Sequence, residues 1–177
     1  MKKVLAVIAA LIFALIATVL VAGSLMPREH VASSTIVIPA SLDTLWHVVR
    51  DIERMPTWWD GLDSVSRIDR PGGGEAWRHH APTGTMDIAV ERSDAPGILV
   101  TRIIAEPGAP FGGTWTYRLE PMGASTRVTI TEAGYINSKV FRFIANTVMG
   151  MHGSMDSYLA ALARHFGAEE QPEHSVG

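Results

Sequence analysis

The N-terminus of this chain carries an apolar run long enough to cross a lipid bilayer. Residues Val4 to Ala22 contain no charged side chain. Their number, about 19, matches the roughly 20 residues that a helix needs to span the hydrocarbon core. A cleaved signal peptide is the alternative, with a weak cleavage site at Leu20-Val21-Ala22-Gly23, but its apolar centre has only about 7–15 residues. A buried core helix is a third interpretation. The length favours an uncleaved membrane anchor.

Basic residues flank this run unequally. Lys2 and Lys3 precede it, and Arg28 follows it. Because the cytoplasmic flanks of membrane helices are enriched in Lys and Arg, we expect residues 1–3 in the cytoplasm. The remaining chain would then form an extracytoplasmic domain on the cell membrane, or a secreted domain if the run is cleaved.

Composition excludes several classes of function. The chain has 15 basic and 18 acidic residues among its 177, a net charge of −3, and no basic cluster. We therefore expect no nucleic-acid partner. Cysteine is absent, which excludes disulfides, thiolate metal sites and a cysteine nucleophile. The length indicates one domain with an appendage.

The pattern beyond the apolar run predicts an α+β domain. We expect a transmembrane helix at 4–22, a tether at 23–32, the domain at 33–167 and a disordered tail at 168–177. A β-rich run to Pro39 precedes a helix capped by Ser41. From Asp63 to Ile136, short alternating stretches separated by Pro- and Gly-containing turns are typical of an antiparallel sheet with one covered face.

The longest helical pattern runs from Ser138 to Phe166. Its apolar residues recur at steps of three and four, which predicts one helix of about 43 Å with a single apolar stripe. Gly150 and Gly153 interrupt it, each at a cost of about 1 kcal/mol relative to alanine. Close approach of a ligand and a tolerated kink are both possible reasons. Only Gly150 lies near the stripe.

The order of elements and four local stretches resemble the START-like SRPBCC superfamily, in particular its polyketide cyclase/dehydrase and lipid-transport branch. The stretches that carry this resemblance are Ile38–Trp46, Asp51–Trp58, Phe111–Tyr117 and Thr126–Glu132. The resemblance implies a helix-grip fold, in which a curved antiparallel sheet wraps around a long C-terminal helix. It covers residues 33–167 and does not select one activity, because a fold of this kind hosts many functions.

In a helix-grip fold the space between the sheet and the long helix is an apolar ligand cavity. Inward-facing residues of the predicted strands and helix are expected to line it, together with a tryptophan pair at its mouth. Methionines suit an irregular apolar guest, although they are equally common in cores. The expected lining residues are Trp58, Trp59, Trp77, His79, Met86, Ile88, Val90, Trp115, Tyr117, Glu132, Thr147, Met151 and Met155.

Catalytic candidates are few. His79 and Glu132 share the predicted inward face and would form an acid/base pair for a cyclisation or dehydration, but solvated or Arg-paired side chains are the simpler interpretation. We expect no metal, because the adjacent His79 and His80 point to opposite faces of a strand and no His-rich spacing motif occurs. We also expect no cofactor, since nucleotide-binding fingerprints are absent.

These features together favour a membrane-anchored binding domain for a lipid or another small hydrophobic ligand. Two alternatives remain open. One is a cyclase/dehydrase-type enzyme, and the other is a protein-interaction domain with a collapsed cavity.

Overall fold

A computed structural model describes residues 2–70 and 72–176 of the chain. Met1, Pro71 and Gly177, which belong to the expected N-terminus, one turn and the tail, lie outside these residues. The helical elements are α1 (Lys2–Leu25), α2 (Leu42–Arg50), a 3₁₀ helix (Ile52–Thr57), α3 (Lys139–Ile144), a π-helical turn (Ala145–Met149) and α4 (Gly153–His165). The strands are β1 (Glu29–Ile38), β2 (Ser64–Ile68), β3 (Ala76–Ala81), β4 (Gly84–Asp94), β5 (Ile98–Ile103), β6 (Phe111–Met122), β7 (Ser125–Ile136) and β8 (Glu173–Val176).

All eight strands form one antiparallel sheet in the order β2-β3-β4-β5-β6-β7-β1-β8. Along β1, alternate residues are buried from Ala32 to Ile38, because one face of the sheet meets α2 and α4 and the other meets water. Ser41 caps α2 by accepting a hydrogen bond from the Thr44 backbone N–H, as predicted. The predicted α+β helix-grip fold is confirmed.

The C-terminal helix is broken, so the prediction of one continuous helix from Ser138 to Phe166 was wrong. After α3 and the π-helical turn, the chain bends at Gly150, whose φ of 74° and ψ of 161° end the helix. A positive φ costs glycine little, whereas a side chain would strain it. Gly150 therefore serves the backbone bend, and an added Cβ there would meet no atom within 4 Å.

The two helical halves pack differently. In α4, Met155, Tyr158, Leu159 and Leu162 are buried against the sheet, and each side chain of this size contributes about 1.5–3 kcal/mol on burial. In contrast, α3 packs against the end of α1, and it leaves Val140 exposed. The break and the π-helical turn therefore rotate the first half of the predicted stripe away from the core.

The apolar helix α1 is joined closely to the domain. Its apolar side chains, such as Phe13, are exposed, which contradicts the interpretation of a buried core helix. Only residues 26–28 separate α1 from β1, because the pairing of β1 with β7 extends to Glu29 opposite Tyr135. The expected tether at 23–32 is therefore mostly helix end and strand.

The C-terminal tail contains a strand rather than the expected disordered segment. β8 pairs with β1 from Ala32 opposite Val176 to Thr35 opposite Glu173. An unpaired edge of β1 would leave backbone N–H and C=O groups without partners. β8 pairs with the part of this edge between Ala32 and Thr35.

Candidate functional site

The face of the sheet that α4 covers, which we call the concave face, carries the residues expected to line a cavity. Directly opposed residues of antiparallel strands point to the same side. One such row crosses five strands and consists of Val90, Thr101, Trp115, Glu132 and Ala32. It is apolar apart from Thr101 and Glu132.

An aromatic cluster lies beneath α4. The Tyr158 ring, which is fully buried, contacts Trp58, Trp59, Trp115 and Tyr117 at centroid distances of 5.1, 5.2, 6.2 and 5.5 Å, all edge to face. Such pairs stabilise a core by about 0.5–1.5 kcal/mol each beyond their buried area. Burial raises the pKa of Tyr158 well above its usual value. Burial also raises the pKa of Tyr117, so both side chains are neutral hydroxyls at physiological pH.

Two polar atoms of this interior lack a hydrogen-bond partner in the described part of the chain. They are the Tyr158 hydroxyl oxygen and His79 Nε2. Burial lowers the pKa of His79 to about 4, so its imidazole is neutral at pH 7. A buried polar group without a partner costs about 1–3 kcal/mol.

Glu132 lies at the end of the concave face nearest α1, where it binds two other side chains. Trp115 Nε1 donates to its Oε2 at 2.9 Å, and His30 Nε2 lies 3.0 Å from its Oε1. Gly134 makes room for this pair, since a Cβ there would lie 2.7 Å from His30 Cε1. Both His30 and Glu132 keep part of their side chains in contact with solvent.

His30 was not among the residues predicted for the site, because residues 23–32 were expected to form a tether. The signal that would have found it is the alternation of His30 with Ala32, Ser34 and Ile36, which continues the inward face of β1.

The structure does not bring His79 and Glu132 together. His79 lies on β3 and Glu132 on β7, with β4, β5 and β6 between them. Four strand spacings of about 4.8 Å separate the two residues by roughly 19 Å along the sheet. Direct proton transfer between them is excluded by this distance.

The other expected lining residues fall into three groups. The first is buried and comprises Trp77, Ile88, Tyr117 and Met155. The second is partly buried and packs on the core, and it comprises Trp58, Trp59, Met86, Val90, Trp115 and Met151. Thr147 alone is exposed, on the π-helical turn, where its hydroxyl donates to the Phe143 carbonyl.

A second polar cluster joins the start of α4 to β1 and β8. The Ser34 hydroxyl donates to Asp156 Oδ1 at 2.7 Å, and His174 Nε2 lies 2.8 Å from Asp156 Oδ2. The His152 ring stacks on His174 at 4.0 Å. The Ser34 hydroxyl also lies 3.3 Å from His152 Nδ1, but it is fully buried and donates to the Asp156 carboxylate at the shorter distance. These contacts hold the start of α4 against β1 and β8.

Two open grooves lie away from the expected lining residues. One, of about 290 Å³, is bordered by Thr35, Arg127 and Glu173. The other, of about 900 Å³, lies at the base of α1 and is bordered by Pro27, Val31 and Tyr135. Among residues 2–70 and 72–176, no three metal-ligating side chains converge.

Comparisons with known proteins agree with this architecture. Residues 29–167 match the family described as polyketide cyclase / dehydrase and lipid transport. No curated protein sequence matches the chain. A START superfamily protein from Mycobacterium smegmatis shares 18% identity, with a TM-score of 0.62 over 78% of this chain and 97% of that one.

Two further solved structures share the fold at low identity. A norcoclaurine synthase point mutant from Thalictrum flavum, in complex with a transition state analogue, is 13% identical, with a TM-score of 0.62 over 80% of this chain and 96% of that one. The di-domain ARO/CYC protein StfQ of the steffimycin biosynthetic pathway is 11% identical, with a TM-score of 0.62 over 79% and 51%. From its family match and its START-like fold, the chain belongs to the polyketide cyclase/dehydrase and lipid transport family.

Proposed function

We propose that this protein is a membrane-anchored binding domain that holds a lipid or another small hydrophobic ligand on its concave face, between the sheet and α4. The observation that carries this proposal is the pair of partnerless polar atoms, His79 Nε2 and the Tyr158 hydroxyl, inside an apolar interior of the described residues. Each such atom in a native protein requires an explanation. A ligand carbonyl or hydroxyl would supply the missing partner.

The composition of the concave face supports an apolar guest. Met86, Met151 and Met155 pack on or in the core, and methionine adapts to irregular shapes more readily than branched residues do. Trp58 and Trp59, which directly follow the 3₁₀ helix, are partly buried and contact the Tyr158 ring. Rotation of these two rings is a route for the guest to reach Tyr158.

The anchor is part of the proposal. α1 is long and apolar enough to cross a membrane. The residue that follows α1 has a partner on the domain, because Arg142 Nη1 donates to the Met26 carbonyl at 2.9 Å. Arg142 is buried in that contact. The anchor is uncleaved in this proposal because its apolar run of about 19 residues exceeds the apolar centre of a signal peptide. The domain is placed outside the cell membrane because Lys2 and Lys3 precede α1.

Native mass spectrometry of the full-length protein, released from membranes in mild detergent, tests the binding proposal. Val90→Trp adds a large ring to the concave face. Val100→Trp is a matched control, because Val100 pairs with Thr116 on the opposite face of the neighbouring strand. We expect the unmodified protein and Val100→Trp to retain an apolar molecule that Val90→Trp loses.

Equal retention by all three proteins would contradict binding on the concave face. A complete absence of retained ligand would contradict the proposal as well and would favour the protein-interaction alternative. Circular dichroism of the three proteins establishes that the substitutions leave the fold intact.

A second candidate function is a cyclase/dehydrase-type enzyme, favoured by the 3.0 Å contact between His30 and Glu132. A partly buried carboxylate held by an imidazole is a suitable general base. If this pair removes water from a bound molecule, Glu132→Gln should retain a species heavier by one water than the unmodified protein does. Glu120→Gln, an exposed position on β6, is the control. Identical retained masses would contradict the enzyme.

A further inference from the structure

The contact between the anchor and α3 determines which part of the domain lies at the membrane surface. Gly23, in the last turn of α1, is buried against the backbone of Lys139, the first residue of α3. The hydrogen bond from Arg142 to the Met26 carbonyl lies one turn further along α3. Gly23 directly follows the apolar run. α3 is thus held at the level where α1 leaves the hydrocarbon.

Exposed apolar side chains are concentrated beside this contact. Val140 and Ile144 are four residues apart, and therefore on one side of α3, and they are 44% and 37% exposed. Phe111 is 41% exposed, and its ring lies 5.8 Å from that of Phe141 on α3. Single exposed apolar residues are ordinary, but a cluster next to a membrane helix needs a covering surface.

We propose that Phe111, Val140 and Ile144 form a membrane face that lies on the lipid surface beside α1, an inference that rests on the proposed membrane anchor. The occupant is the boundary between headgroups and acyl chains in the leaflet from which α1 emerges. Lys139 is exposed in the same helix, where its ammonium group reaches lipid phosphates. Because the connection from α1 to β1 is short and hydrogen-bonded, through Ile136 N–H and the Arg28 carbonyl, the domain has a fixed posture on the membrane.

This posture orients the concave face. His30 and Glu132 lie at the end of the sheet that adjoins α1, and Phe111 begins β6 at the same end. Met122 ends β6 after 12 residues, which places it roughly 36 Å away. The open, polar end of the concave face therefore borders the membrane, and the β6–β7 turn points away from it.

Single-cysteine labelling of the full-length protein tests the membrane face. Each label reports a single position, because the chain has no cysteine of its own. Ile144→Cys, Val140→Cys, Met122→Cys and Leu15→Cys are each labelled with the environment-sensitive dye NBD and reconstituted in phosphatidylcholine vesicles. Spin-labelled phosphatidylcholine is then added as a quencher. Met122 is the matched control, because it is an exposed apolar residue at the far end of β6.

We expect the labels at residues 15, 140 and 144 to lose most of their fluorescence on addition of the quencher. The label at residue 122 should retain its fluorescence. If residue 15 is quenched and residues 140 and 144 are not, the membrane face is refuted and the anchor survives. If residue 15 is unquenched, the anchor fails and the membrane face with it. A blue shift at residue 144 without lipid quenching would assign the face to a protein partner and would also overturn the proposal. Ligand retention in Val90→Trp is independent of all these outcomes.

Discussion

Adding one methyl group at Gly23 should separate the anchor from the domain. In the structure a Cβ at this position would lie 1.9 Å from the Lys139 carbonyl oxygen and 2.8 Å from its carbon. Both atoms belong to the backbone, so no side chain can rotate away. Ordinary van der Waals contact begins near 3.4 Å, and the helices must move apart by about 1.5 Å to restore it.

The size of the effect follows from the hydrogen bond that this movement breaks. The distance of 2.9 Å between Arg142 Nη1 and the Met26 carbonyl oxygen would exceed about 4 Å, beyond hydrogen-bond range. A hydrogen bond to a charged group contributes about 1.5–3 kcal/mol. Gly23→Ala should therefore raise the undocked population by roughly 10- to 100-fold.

Limited proteolysis of the full-length protein in lipid nanodiscs measures this population. Trypsin cleaves after arginine, and Arg142 is buried in the docked state, so cleavage after Arg142 reports undocking. Gly153→Ala is the matched control, because a Cβ there meets nothing within 4 Å and should stabilise α4 by about 0.4–1 kcal/mol. Equal cleavage rates after Arg142 in Gly23→Ala, Gly153→Ala and the unmodified protein would refute the docked arrangement.

Three further outcomes are expected. First, the unfolded chain binds a proton at His79 near pH 6.5 and the folded chain only near pH 4, so the free energy of unfolding should fall by about 2 kcal/mol from pH 7 to pH 5. Urea unfolding of His79→Leu should lack this loss. An identical pH dependence in the two proteins would contradict the burial of a neutral imidazole. Second, Tyr158→Phe removes a partnerless hydroxyl and should leave the urea midpoint of unfolding unchanged or raise it. Leu159→Ala should lower the free energy of unfolding by about 2–5 kcal/mol. Equal losses in the two variants would contradict an apolar interior with an unpaired Tyr158 hydroxyl. Third, truncation before Glu173 exposes the edge of β1 and should produce dimers or larger species in sedimentation experiments; an unchanged molecular mass would argue against edge protection by β8.

Much of the fold was predictable because its signals are local. Strand alternation such as Met86, Ile88 and Val90 reflects a face that is buried regardless of which strand is its neighbour. The cap at Ser41 and the apolar run of α1 depend on residues within one or two turns. The family resemblance then supplied the order in which these elements pair.

The break in the C-terminal helix was not predictable from periodicity. Apolar residues recur at helical steps across Gly150, so the stripe looks continuous although Val140 and Ile144 face away from the core. The helix that carries them packs instead against the end of α1, more than 100 residues away in sequence. A local pattern does not distinguish an apolar side chain that is buried in the core from one that stays exposed.

The candidate site shows the same division. Trp115, Tyr117 and Glu132 were placed correctly on one face by alternation. The hydrogen-bond partner of Glu132 was not predicted, because His30 reaches Glu132 only through the pairing of β1 with β7. The distance between His79 and Glu132 likewise depends on strand order, which alternation alone does not contain.

Photolabelling tests whether a lipid binds on the concave face, between the sheet and α4. The full-length protein is reconstituted in nanodiscs that contain a diazirine-bearing phosphatidylcholine, irradiated, digested and mapped by mass spectrometry. We expect labelled residues on the concave face, at Met86 and Met155, in addition to those in α1. The Met86 and Met155 adducts should be lost in Val90→Trp and retained in Val100→Trp. Adducts restricted to α1 and α3, with Met86 and Met155 unmodified in every variant, would contradict a lipid bound between the sheet and α4.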